Sequence, residues 1–204
     1  MGDLRDHWEG VYSTKAETAF SWYQRHSKLS LAYVTALAKP ASHIIDIGGG
    51  ASTLIDDLLE HGYCNVTVLD ISGAALAKAK SRLGKRASHV TWLVEDITKW
   101  HPTRQYAVWH DRAVFHFLTR VEDQDAYIAA LRAGTAQGAA VIMATFALDG
   151  PEKCSGLPVQ RYSPSTLAER LGTPFVLTDQ AVETHATPSG AKQRFSYAVF
   201  RRES

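Results

Sequence analysis

Apolar residues along this chain fall into short runs separated by longer segments of helical spacing. Residues 43–47, 66–70, 90–94, 106–109 and 139–146 each read as a strand. Most of these runs are continuous rather than alternating, the pattern of strands covered on both faces. Between the first two, Leu54, Ile55, Leu58 and Leu59 share one face of a helix predicted over 52–61, which stops at Gly62. A second helix runs to Leu83 before Gly84, and a third spans 121–132 before Gly134. Strands alternating with helices in this way build βαβ units and a parallel sheet.

The alternation fails near the C-terminus. Ser163-Pro164, an N-cap and first-turn pair, opens one more helix. Two strand-like runs follow, 175–186 and 194–201, joined through Thr187-Pro188-Ser189-Gly190. So short a connection cannot cross over and predicts an antiparallel hairpin. Upstream of the first strand, 30–38 predicts a helix lying on the sheet, preceded by the aromatic-dense stretches 7–12 and 20–24. The expected organisation is one domain over 1–204, with an N-terminal helical arm or lid over 1–41 and an α/β core over 42–204.

Composition narrows the classes. Of 204 residues, 45% are hydrophobic and 21% charged, ordinary for a globular protein and unlike disordered or fibrous chains. With 22 basic and 21 acidic side chains the net charge is +1, so bulk charge recruits neither nucleic acid nor a membrane surface. The cluster Lys78, Lys80, Arg82, Lys85 and Arg86 has helical spacing and reads as a solvated face. No stretch approaches the ~18 apolar residues of a membrane span, and the N-terminus lacks a signal-like apolar core. A cytoplasmic protein, monomer or homodimer, is expected. Cys64 and Cys154 lie far apart and form no metal clip.

The candidate chemistry lies where strands end. Asp46-Ile47-Gly48-Gly49-Gly50 spans a strand-to-helix turn, where glycines let backbone approach a ligand and a helix start offers free N–H groups. Asp70 closes the next strand, at the place where an acid takes ribose hydroxyls. Asp96-Ile97 follows the third strand and suits an adenine, although Asp96 also reads as a turn aspartate. Gly48-x-Gly50-x-x-Thr53 lacks the third glycine of the dinucleotide fingerprint, and no phosphate-loop string is present. A phosphate-free, cationic nucleoside such as S-adenosylmethionine fits carboxylates better.

The order Asp46-x-Gly48-x-Gly50, Asp70, Asp96, His110-Asp111 and the closing hairpin resembles class I S-adenosylmethionine-dependent methyltransferases over residues 42–201. That resemblance implies a Rossmann-like, seven-stranded, mostly parallel sheet whose last strand inserts antiparallel. It implies S-adenosylmethionine as cofactor. Asp46, Gly48, Gly49 and Gly50 would then hold its methionine end, Asp70 and Ile71 the ribose, and Asp96 and Ile97 the adenine. Trp8-x-x-Val11-Tyr12-x-x-Lys15 and Ser21-Trp22-Tyr23-Gln24 are similar to strings of small bacterial methyltransferases and, more distantly, of eukaryotic elongation-factor lysine methyltransferases. The lysine enzymes carry an Asp-Lys-Gly-like stretch after the fourth strand, where this chain has His110-Asp111-Arg112-Ala113.

The expected catalytic set is His110, Asp111, Arg112 and Tyr23, with His110 as general base and also near the cofactor. Trp22 and Tyr23 read either as a lid over the cationic sulfur or as staples for the N-terminal helix. Tyr23, His116, Arg161 and Tyr162 are the candidate acceptor contacts, and His116 also reads as a core histidine amid Phe115, Phe117 and Leu118. No metal site is expected, because His110 and His116 do not share a helical face. Cys154 reads as packing before chemistry. The expected function is methyl transfer to a small-molecule acceptor, a thiol or similarly soft nucleophile. Protein-lysine N-methylation is the alternative, and a non-catalytic nucleoside-binding module a second one.

Overall fold

The computed structural model describes residues 4–14 and 16–204, so Lys15 of the N-terminal string lies outside the described residues. The parallel strands are β1 (Ile44–Ile47), β2 (Val66–Asp70), β3 (Val90–Val94), β4 (Tyr106–Arg112) and β5 (Thr135–Phe146). The arm contributes helices α1 (Leu4–Thr14) and α2 (Lys28–Leu37), and the core α3 (Leu54–Glu60), α4 (Gly73–Leu83), α5 (Val121–Gly134) and α6 (Pro164–Leu171). After β5 a small separate hairpin, β6 (Lys153–Cys154) with β7 (Leu157–Pro158), sits in the loop. The chain closes with β8 (Phe175–Ala186) and β9 (Lys192–Arg202).

The main sheet has the order β3-β2-β1-β4-β5-β9-β8. All pairs from β3 to β5 are parallel, and β9 enters antiparallel between β5 and β8. The seven strands and the terminal hairpin follow the expectation. From β1 the chain leaves toward β2 on one side, while β4 lies on the other. The loops after these strands therefore diverge and open a crevice at the carboxyl edge of the sheet, where open α/β sheets bind ligands.

Every residue of β1 and β2 is buried, as continuous apolar runs require. Alternating side chains feed two cores. Ile44, Leu54, Val66, Val108 and Tyr197 belong to one, and Ile45, Leu69, Trp109, Tyr127 and Phe200 to the other. Sequence boundaries shift where pairing overrides local preference. β4 continues through His110, Asp111 and Arg112 because these residues pair with Asp46 and Ile47 of β1 and with Met143 and Ala144 of β5. α3 begins at Leu54 rather than Ser52, since the Ser52 hydroxyl accepts the Leu54 N–H and keeps the preceding residues in the turn.

The arm is fastened to the core by charge and by rings. Glu9 accepts the backbone N–H groups of Gly73 (2.5 Å) and Ala74 (3.1 Å), so a side chain from α1 caps the start of α4. Ser72 supplies the local cap through Ala75 N–H. Arg82 reaches Glu17 at 2.6 Å and Asp56 at 2.8 Å. The basic cluster is thus not wholly a solvated face, since Arg82 binds the arm and Lys80 lies over the Trp92 ring. Phe20 stacks on Trp22 with centroids 4.8 Å apart, and Trp8 and Tyr12 pack edge-on against the same indole. No helix among the described residues is long and apolar enough to cross a membrane.

Removing a capping carboxylate costs about 1 kcal/mol. Glu9→Ala should lower unfolding stability by about that amount and speed protease cleavage within residues 4–26, read by denaturant titration and by limited proteolysis.

Candidate active site

Three glycines shape the turn after β1. Gly48 has φ +67, and a Cβ there would collide with Val114. A Cβ on Gly49 would overlap the Asp46 carboxylate, and one on Gly50 the Asp70 carboxylate. Only bare backbone lets the loop lie this close to two acids. Asp46 is 2% exposed. Its Oδ1 meets His110 Nδ1 at 2.7 Å across the β1–β4 pair, and its Oδ2 is buried with no partner in the protein. Asp70 accepts Gly50 N–H at 3.0 Å and Ser72 N–H at 2.8 Å. Burial outweighs those two donors and pushes its pKa up to about 6.

A cavity of about 290 Å³ runs along this edge. Its floor passes from Asp96-Ile97 after β3 and Asp70-Ile71 after β2, across Gly48, to Arg112, Cys154 and Phe195, and Trp8, Tyr12 and Trp22 of the arm form its wall. A smaller cleft of about 40 Å³ is lined by Asp46, Gly48, Gly49, Thr53, Tyr23, Gln24 and His110. Trp22, Gly48 and Arg112 border both spaces. The residues expected to hold a cofactor are therefore brought together, Gly50 acting through its N–H on Asp70. Asp96 borders the cavity, and its carboxylate takes Thr98 N–H at 3.0 Å and Lys99 Nζ at 3.1 Å, as the turn reading expects.

The residues fit S-adenosylmethionine. An orphaned carboxylate oxygen in the narrow cleft suits an ammonium, and Asp70 beside a wide cavity suits a diol. Trp22 packs the arm, as the staple reading expects, and its indole also borders both spaces, the position the lid reading needs. Tyr23 borders only the narrow cleft.

Four expected residues lie elsewhere. Asp111 points to the sheet face opposite His110 and Arg112, because side chains alternate along β4. Its carboxylate accepts the N–H groups of Val114 (2.9 Å) and Phe115 (3.1 Å) and the Tyr127 hydroxyl (2.6 Å), so it ties a turn and lines neither space. His116 is fully buried, with burial holding its pKa down to about 3, and its ring accepts Phe146 N–H at 3.3 Å. It is the core histidine, not an acceptor contact. Arg161 binds Gly150 O and Glu152, which pins the loop after β5. Tyr162 is 5% exposed and packs on Phe115 in the core. His110 is at the site, but both ring nitrogens are engaged, Nε2 lying 2.9 Å from Ser30 Oγ. That leaves it no free lone pair to act as a general base on an acceptor.

Sequence reasoning missed the lining supplied by β9 and by the loop after β5. Gln193, Phe195 and Cys154 border the cavity, and Arg112 lies 4.1 Å over the Phe195 ring while pairing with Glu183 at 3.2 Å. The alternation of Phe195 and Tyr197 along β9 was the available signal. Ser30 and Glu9 carried none, since their partners are remote in the chain.

Residues 44–138 match the family model described as a methyltransferase domain. Just under half of the chain is thus similar to a methyltransferase domain, on the fold of solved N-methyltransferases that hold S-adenosylhomocysteine. Among curated proteins it is similar to the mouse (Mus musculus) eEF1A lysine and N-terminal methyltransferase, 32% identical over 94 residues, 46% of this chain and 13% of that protein. Mouse EEF1A lysine methyltransferase 2 is 28% identical over 103 residues, 46% of this chain and 42% of that one. The chain spans less than half the length of these relatives. Among solved structures, the Burkholderia thailandensis 1,6-didemethyltoxoflavin-N1-methyltransferase, with S-adenosylhomocysteine bound, superposes with a TM-score of 0.72 at 17% identity, covering 98% of this chain and 88% of that one. A structure described as "Conversion of a Disulfide Bond into a Thioacetal Group during Echinomycin Biosynthesis" gives a TM-score of 0.78 at 17% identity, over 98% and 93% of the two chains. At such identities the likeness is one of fold.

The buried acids at this edge of the sheet generate two predictions. The pKa of Asp70 is raised on folding from 3.8 to about 6, so between these values the native state holds more protons than the unfolded one. Its contribution to stability is therefore greatest at low pH and is lost as pH rises through about 6. The stability difference between wild type and Asp70→Asn should fall from pH ~4 to ~6 and then flatten, measured by urea unfolding across pH. Asp111→Ala strands the Val114 and Phe115 N–H groups, the second of them buried, and the buried Tyr127 hydroxyl, and should cost about 3 kcal/mol in the same assay.

Proposed function

We propose that this chain transfers a methyl group from S-adenosylmethionine to a small-molecule acceptor whose nucleophile is soft and already ionised, a thiolate before others. The observation that carries the reading is the unpartnered Asp46 oxygen set beside bare glycine backbone, next to a cavity bordered by Asp70. S-Adenosylmethionine, when bound, supplies an electrophilic methyl on a cationic sulfur. The chain does the rest: Asp46 and the glycine turn hold the methionine end, Asp70 the ribose, and Asp96 and Ile97 border the adenine. Trp8 and Trp22 keep water out and offer ring faces to positive charge. Orientation of nucleophile and methyl within such a space accounts for much of the acceleration.

The acceptor end supports a nucleophile that needs no proton removed. Arg112, Phe117, Phe195 and Gln193 are not bases. Burial pushes the Cys154 thiol up to about 11 and Tyr12 well above its ordinary value, so both stay protonated. His110 is engaged at both nitrogens. Arg112 borders this end with its charge already shared with Glu183 at 3.2 Å. The neighbour described by thioacetal formation adds sulfur chemistry on the same fold. Protein-lysine methylation is the second reading, favoured by the curated relatives named for eEF1A. It asks the site to deprotonate an ammonium, and the acceptor end offers no free base for that among the described residues.

The test uses a labelled methyl donor with a panel of small thiols, small carboxylic acids and cell lysate. Label should enter a thiol, at rates rising with its thiolate fraction. Label confined to a protein band would favour the lysine reading, and donor binding without turnover on any acceptor would favour a non-catalytic module. Asp70→Ala should weaken S-adenosylhomocysteine binding by about 1.5–3 kcal/mol, read by calorimetry.

A further inference from the structure

Behind the two spaces lies a buried polar chain whose middle members, Ser30 and Tyr197, the proposed transfer does not use. Arg112 Nε meets Tyr197 Oη at 3.2 Å, and Tyr197 Oη meets Ser30 Oγ at 3.1 Å. Ser30 Oγ meets His110 Nε2 at 2.9 Å, and His110 Nδ1 meets Asp46 Oδ1 at 2.7 Å. Ser30 and Tyr197 are fully buried and border neither space. Beyond Arg112, Glu183 of β8 accepts from Arg112 Nη2 at 3.2 Å and from Gln24 of the arm at 3.1 Å. The chain therefore connects the terminal hairpin, α2, β4 and β1.

Hydrogen counting gives this chain a direction. A guanidinium N–H can only donate, so the Tyr197 oxygen accepts from Arg112. The Tyr197 hydroxyl has Ser30 as its other partner and donates to it. Ser30 then donates to His110 Nε2, and His110 Nδ1–H donates to the Asp46 carboxylate. Each interior group donates once and accepts once, with a cation at one end and an anion at the other. A proton on Nε2 would reverse Ser30 and leave the Tyr197 hydrogen without an acceptor, and a buried unmet donor is expensive. The Ser30–His110–Asp46 segment has the connectivity of a hydrolase triad. Ser30, fully buried and already accepting from Tyr197, has no space beside it for an acyl group.

We propose that Ser30 and Tyr197 are positioning residues, which fix His110 as the neutral Nδ1–H tautomer and thereby aim the free Asp46 oxygen at the ammonium of the methyl donor. The hairpin on the acceptor side then helps set the geometry of the donor side. This role rests on the methyltransferase reading, whereas the tautomer can be read from the protein alone. Burial raises the Tyr197 pKa, which keeps its hydroxyl a donor.

The experiment is side-chain 15N NMR of histidine-labelled protein without ligand, His110 being assigned by loss of its signals in His110→Gln. The expected spectrum has a neutral ring protonated on Nδ1 near pH 7. Tyr197→Phe, which keeps the ring against Tyr33, and Ser30→Ala should each change that signature. Each should also weaken S-adenosylhomocysteine by about three- to tenfold, with acceptor KM less affected. A charged ring or an Nε2–H tautomer in wild type would overturn the proposal even if the variants fail to fold. So would folded variants with both spectrum and affinity unchanged. A wild type that shows the Nδ1–H ring but binds no S-adenosylhomocysteine would instead overturn the donor reading, and with it the role assigned to the relay.

Discussion

Two buried carboxylates beside a turn without side chains govern this structure. Asp46 and Asp70 end up at the carboxyl edge of β1 and β2, and the Cβ positions of Gly49 and Gly50 would fall on their oxygens. A buried acid is costly unless something compensates its charge. Here the backbone supplies part of the compensation at Asp70, His110 supplies part at Asp46, and one buried oxygen of Asp46 has no partner in the protein. The turn is thus built around a deficit of positive charge. A nucleoside with a cationic tail meets that deficit, and a phosphorylated one would aggravate it.

The arm and the terminal hairpin convert an open sheet edge into an enclosed space. Glu9 caps α4 at the two residues that follow the Ser72 turn holding Asp70, so docking of the arm and order at Asp70 share one short segment. His185 of β8 binds Ser21 O at 2.7 Å, and Thr53 after the glycine turn binds Gln24 O at 2.9 Å. The arm is thereby held from the hairpin and from the glycine turn at once. Its aromatic residues are at the same time packing for the arm and wall for the cavity.

Much of this was legible in the chain. Continuous apolar runs located β1 and β2, and the short Thr187-Pro188-Ser189-Gly190 connection required the antiparallel ending. The acids and glycines were found because local strand-to-helix turns write them next to each other. Asp111, His116, Arg161 and Tyr162 were misplaced for one physical reason. Nearness in sequence to a site says nothing about which face of a strand a side chain takes, or whether a loop turns its polar groups inward to its own backbone. Arg112 and Asp111 are neighbours in sequence and lie on opposite faces of the sheet. Ser30, Tyr197 and Glu9 act through partners more than 60 positions away, and pairing of that kind leaves no local pattern.

The account stands or falls on where a cationic adenosyl compound lies against those two acids. The most direct measurement is a crystal structure of the protein with S-adenosylhomocysteine. The account predicts its ammonium within hydrogen-bond reach of Asp46 Oδ2 and its ribose hydroxyls on Asp70, with the adenine beside Asp96 and Ile97. An empty acidic turn in crystals soaked with this compound, or a phosphorylated coenzyme bound there instead, would contradict it.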